Sequence, residues 1–117
     1  MVIYMSKKKE KDRSESTVGS DIPLPGPGTV ICGVVKHLGG DYLIANCTDG
    51  VNRKVRIPGR MRRKIWISEG DLILVGIWDF SPERGEVLYK YSKQETSKLL
   101  ENNVVSKDFL DALSELI

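Results

Sequence analysis

At 117 residues, with 40% hydrophobic and 29% charged side chains, the chain has the length and make-up of one soluble domain around a single core. Its formal net charge is only +2, and no apolar run approaches the roughly 20 residues that span a membrane. Two cysteines and one histidine are too few for a tetrahedral zinc site of Cys and His, and neither a phosphate-loop nor a GxGxxG motif is present, so no metal or cofactor is expected.

Residues 1–22 are polar and basic, with Lys7, Lys8, Lys9, Lys11 and Arg13 close together. Such a stretch buries too little apolar surface to offset its ordering entropy, which predicts a flexible tail. It lacks the apolar centre of a signal peptide, so a cytoplasmic location is expected. PLPGPGT (23–29) then reads as a stiff lead-in to a domain over 23–91.

TVICGVVKHL (29–38) and DYLIANCT (41–48) carry strand signals, and Gly39-Gly40 between them suits a two-residue hairpin turn. With Leu38 opposite Asp41, Cys32 falls opposite Cys47, where a reducing cytoplasm favours two buried thiols over a disulfide. Gly33 inside the first strand predicts a bulge or bend. Asp49-Gly50 is a second turn, leading into a third strand, Val51–Ile57, that Pro58-Gly59 breaks.

DLILVGIWDF (71–80) is too continuously apolar for a half-exposed strand, which predicts a strand through the core. SPERG (81–85) is a turn and Glu86–Tyr91 a fifth strand. Ser92-Lys-Gln-Glu95 is a capping-box pattern that opens a helix to about Asn103. Ser106 caps a second helix with Phe109, Leu113 and Leu116 on one face. Five antiparallel strands interrupted after the third predict a mainly β, five-stranded OB-fold Greek-key barrel, with C-terminal helices over 92–117. An SH3-like barrel is the competitor.

Charge is segregated along this chain. VNRKVRIPGRMRRKIW (51–66) holds Arg53, Lys54, Arg56, Arg60, Arg62, Arg63 and Lys64 and no acid, whereas 94–117 sets five acids against two lysines. By strand alternation Val51, Val55 and Ile57 face the core, with Arg53 as an unexplained exception, while Lys54 and Arg56 face out. A helical turn after Pro58-Gly59 directs Met61 and Ile65 inward and Arg60, Arg63 and Lys64 outward. Seven like charges without a local counter-charge point to a polyanion, and the five arginines, whose planar forks pair with phosphate, point to nucleic acid.

Trp66 alternates with Ile65 and Ile67, so its indole is expected outside as a base-stacking platform. Trp78 reads as structural and His37 as a turn or surface residue. No nucleophile with a positioned base is apparent, so an enzyme is not expected. The amphipathic end KDFLDALSELI either packs on the barrel or docks in a partner's groove.

At IPGRMRRKIWI, DLILVGIWDF and GEVLYKYS the chain resembles archaeal translation initiation factor 1A, its eukaryotic counterpart and, more distantly, bacterial initiation factor 1. The resemblance implies a monomeric OB-fold protein on the rRNA of the small ribosomal subunit, covering the aminoacyl (A) site and leaving initiator tRNA to the peptidyl (P) site. It implies that Arg60, Arg62, Arg63, Lys64 and Trp66 contact rRNA, with Lys54 and Arg56 in the strand feeding them. The basic tail would reach toward tRNA and mRNA. The ending around Leu113, Leu116 and Ile117 would meet initiation factor 5B. A general single-stranded RNA-binding, cold-shock-like chaperone is the alternative; such modules display several aromatics on strands two and three, where this chain has Tyr42.

Overall fold

The computed structural model describes residues 22–62 and 65–117 and, for Arg62, the backbone alone. The tail cations Lys7, Lys8, Lys9, Lys11 and Arg13, together with Arg63 and Lys64, lie outside the described residues. Five strands, β1 (Thr29–Gly39), β2 (Tyr42–Cys47), β3 (Asn52–Arg56), β4 (Leu72–Trp78) and β5 (Ser81–Lys90), close a barrel in the order β1-β2-β3-β5-β4. A one-turn helix α1 (Gly59–Arg62) lies between β3 and β4, and α2 (Lys93–Glu101) and α3 (Lys107–Leu116) follow β5. This is the five-stranded OB-like barrel expected, except that the turn expected at 81–85 lies at Asp79-Phe80, so that β5 already begins at Ser81, and with two larger corrections.

The first concerns strand direction. Four pairings are antiparallel, but β3 and β5 close the barrel in parallel through Lys54 with Arg84, Val55 with Gly85 and Arg56 with Glu86. The crossover through α1 and β4 brings β5 beside β3 pointing the same way, so a wholly antiparallel barrel does not describe the molecule.

The second concerns the cysteines. Cys32 and Cys47 are joined as a disulfide with S–S 1.95 Å, not held as two thiols. Both are buried in the barrel interior and opposite in register, as the sequence predicts. The turn, however, is displaced. Gly39 pairs with Tyr42, leaving Gly40 and Asp41 in the turn, and two register shifts, after Val34 and after His37, restore the predicted alignment at the cysteines. Gly39 and Gly40 both have positive φ, +87° and +61°, as this tight connection needs.

Two apolar clusters share β1 and β4. Inside the barrel lie Val30, Cys32, Val34, Leu43, Ala45, Val55, Ile73, Val75 and Val87, sealed by Ile57, Met61 and Ile67 at the α1 end. On the outside of the same two strands, Ile31, Leu72 and Leu74 meet Tyr91, Leu99, Val105 and Leu113 from the C-terminal segment. The first half of β4 is therefore buried on both faces, which is why its sequence runs apolar without alternation.

Gly33 is explained by this second cluster rather than by a bend. A Cβ there would overlap the Leu113 side chain, so the missing side chain is what lets α3 seat on β1. The predicted capping box at α2 forms: Ser92 Oγ accepts from the Glu95 backbone N–H at 3.1 Å, and Glu95 Oε1 accepts from the Ser92 N–H at 2.8 Å. Glu95 also accepts from the Tyr89 hydroxyl at 2.5 Å. Burial alone would raise its carboxyl, but these hydrogen bonds outweigh it and hold the pKa below the ordinary value. The Tyr91 hydroxyl donates to the Pro23 carbonyl at 2.5 Å, tying the lead-in to the barrel, and burial pushes it up to about 12.

Candidate nucleic-acid interface

The segment 51–66 divides by face, with two departures. Val55, Ile57 and Met61 are buried and Ile65 half-buried, whereas Arg56 and Arg60 are exposed. Val51, expected in the core, is exposed because it still belongs to the turn between β2 and β3. Arg53 is 4% exposed and fully engaged. Its Nη1 and Nη2 donate to Asp49 Oδ1 and Oδ2, both at 2.9 Å, and its Nε donates to the Pro82 carbonyl at 2.8 Å.

Arg53 is thus a clamp between the β2–β3 turn and the start of β5, with its own donors already engaged. Its guanidinium, above all through these hydrogen bonds, holds the Asp49 carboxyl below its ordinary pKa. The acid that neutralises this one cation stands just outside the basic run.

Lys54 points outward and lies over the Tyr42 ring, its Nζ 4.7 Å from the centroid. That cation–π contact pre-positions the ammonium on the outer face while leaving it half-exposed. Arg56 and Arg60 extend into water. The side chain of Arg62, like Arg63 and Lys64, lies outside the described residues.

Trp66 is 81% exposed, and Ile67 beside it is buried. The backbone that presents the indole is fixed from both sides. Lys90 on β5 donates to the Trp66 carbonyl at 2.6 Å, and His37 on β1 meets the Ile67 carbonyl through Nε2 at 2.6 Å, an arrangement that requires the proton on Nε2. The next residue is held as well: the Ser68 N–H donates to Asp71 Oδ2 at 2.7 Å, and that carboxylate sits 3.4 Å from Lys90 Nζ. Three successive residues are pinned while the side chain of the first stays in solvent. A rigid backbone under an exposed aromatic lowers the entropy lost when the ring stacks on a base. His37 and Lys90 were not apparent as positioning residues in sequence, since both act through backbone carbonyls.

At the C-terminus the three candidate partner residues separate. Leu113 is 3% exposed against Gly33 and Ile31 and is not available to a partner, because α3 packs on the barrel. Leu116 and Ile117 remain about half exposed. Among the described residues no group of three His, Cys, Asp or Glu side chains could hold a metal ion, and no helix is long and apolar enough to cross a membrane.

A family model described as translation initiation factor 1A / IF-1 matches residues 20–114. The chain is 66% identical over 115 residues to translation initiation factor 1A of Desulfurococcus amylolyticus, covering 97% of each chain. It is 48% identical over 104 residues to translation initiation factor 1A of Saccharolobus solfataricus, covering 89% of this chain and 96% of that one. A looser likeness, with a TM-score of 0.46 and 21% identity over 62% of this chain and 85% of the other, is to the solution structure of bacterial translation initiation factor 1 from a Wolbachia endosymbiont of Brugia malayi.

Proposed function

We propose, from the premise that this chain belongs to the translation initiation factor 1A / IF-1 family and so acts in translation initiation, that it binds the small ribosomal subunit at the A site through rRNA. The observation that carries this reading is the exposed Trp66 indole, held on a pinned backbone that continues from the basic run. Cations along 54–64 (Lys54, Arg56, Arg60, Arg62, Arg63 and Lys64) neutralise rRNA phosphates, and Trp66 stacks on an unpaired base. By occupying the A site the protein directs initiator tRNA to the P site and supports assembly of the initiation complex. The basic tail lies near tRNA and mRNA. Leu116 and Ile117 offer the contact to initiation factor 5B. The action is one of occupancy and electrostatics, with no bond made or broken.

Replacing Arg60, Arg62, Arg63 and Lys64 together with Glu is expected to abolish subunit binding while the thermal unfolding profile stays close to the parent's. Undiminished binding would sink the proposal. Hydroxyl-radical footprinting with the unaltered chain is expected to protect the decoding region; protection elsewhere would remove the A-site assignment.

A further inference from the structure

The outer face of α3 has no partner among the described residues. Phe109, Leu110 and Leu113 pack on the apolar cluster outside the barrel, whereas Asp108, Asp111, Ala112 and Glu115 lie on the opposite side of the helix, all exposed. The three acids stand at i, i+3 and i+7 and so form one stripe. Among the described residues none of their carboxylates is in an ion pair or a side-chain hydrogen bond.

Folding of α3 does not account for this stripe. Asp108 in the first turn suits the helix dipole, but Glu115 stands near the other end, where it opposes the dipole and where the last turn has no basic residue. Asp111 and Glu115, four residues apart, also repel each other. An amphipathic helix needs only a polar outer face, and mixed signs would supply one without that repulsion. Cations set against the stripe from elsewhere would relieve both effects.

The chain itself carries such a set. Residues 7–13, KKKEKDR, outside the described residues, hold five cations and two acids. The chain that follows them is fixed beside α3. Ile22 packs on the same apolar cluster as Phe109 and Leu110, and the Tyr91 hydroxyl holds the Pro23 carbonyl. Arg13 precedes Ile22 by nine residues, a reach of up to about 30 Å, whereas the ten residues of α3 span about 15 Å. Every point of the stripe is therefore within reach. A tether this short holds the cations near the helix at an effective concentration on the order of millimolar.

We propose that in the free protein residues 7–13 dock on the outer face of α3, with Lys7, Lys8, Lys9, Lys11 and Arg13 set against Asp108, Asp111 and Glu115. Each exposed pair is weak, and the contact acts through their number and the tether. It keeps the tail cations from other anions until a denser array of negative charge competes for them. It does not depend on Trp66, on the cations around α1 or on the reading of those residues as an rRNA interface.

The test treats the full chain with a water-soluble carbodiimide, which joins amines directly to carboxylates in contact, and maps the links in the monomer fraction by mass spectrometry. Links from Lys7, Lys8, Lys9 or Lys11 to Asp108, Asp111 or Glu115 are expected. Their yield should fall at least fivefold between about 0.1 M and about 1 M KCl, as the screening length shortens from about 10 Å to about 3 Å. Because Asp108 also supports the start of α3, the matching variant alters the tail alone, replacing its five cations with Gln. Amide resonances of Asp108, Asp111 and Glu115 in that variant should differ from the parent's at low salt and coincide with them at high salt. Tail lysines linked only within the tail or to the barrel would overturn the proposal, as would unchanged α3 amides in the Gln variant. Links to α3 found only between two chains would overturn it in favour of a second copy as the occupant. Undiminished subunit binding after charge reversal at 60–64 overturns the functional proposal and leaves this contact standing, so the two failures are distinguishable.

Discussion

Arg53 and Arg56 stand three residues apart on one strand in opposite circumstances. Arg56 is exposed and free to meet an anion, whereas Arg53 is buried with its anion already supplied by Asp49. Removing Asp49 would strand a guanidinium that is 4% exposed, with only the Pro82 carbonyl left to it. Breaking a fully buried pair costs about 3–5 kcal/mol. The Asp49 side chain is 39% exposed, so water softens the loss, and Asp49→Ala is expected to cost about 2–3 kcal/mol in urea unfolding. The pair also sets a pH dependence. The Asp49 carboxyl is held below its ordinary value of about 3.9, so its contribution is present above that value and fades as pH falls through the lower folded one. Between pH 5 and pH 2 the parent should lose more stability than Asp49→Asn does; parallel curves would mean the pair adds nothing.

At the scale of elements, the joint between α3 and β1 depends on a single absent side chain. Gly33→Ala would set a methyl group against Cγ and both Cδ atoms of Leu113, so that this buried side chain must repack or α3 must move away from β1. Overpacking of this kind costs about 1–3 kcal/mol. In the Leu113→Ala background the same methyl has room, so the two substitutions together should be less damaging than the sum of each alone. A double-mutant cycle by denaturant unfolding measures that coupling, and strict additivity would show that α3 does not rest on Gly33. The elements themselves were largely legible in sequence. Turns marked by Asp49-Gly50 and Gly39-Gly40, β-branched runs and the Ser92–Glu95 capping box are local signals, and each specified its element. The role of Gly33 was not legible, because its partner lies 80 residues away in the chain. The parallel β3–β5 closure was hidden for the same reason, since nothing within either strand records the direction of a neighbour across the crossover. Of the interface, alternation around Trp66 revealed the exposed indole.

For the whole molecule the decisive property is where charge is spent. A net charge of +2 would give little attraction to RNA if it were evenly spread. Instead, Asp49 is consumed by Arg53, Asp71 serves Lys90, and Glu95 caps α2, so these acids are engaged within the fold and do not oppose the cations around α1. The electrostatic part of subunit binding should then scale with a countable set of phosphate contacts. Each contact contributes a slope of about −0.7 to −0.9 in log affinity against log salt concentration. Neutralising Arg60 and Arg56 together by Gln should make the slope shallower by about 1.5, while Arg53→Gln, corrected for any fraction unfolded, should leave it unchanged. Filter binding of subunits across a series of KCl concentrations would measure both. If Arg53→Gln flattened the slope as much as the outward pair, the division of this basic run into one buried clamp and an outward anion-binding face would be wrong.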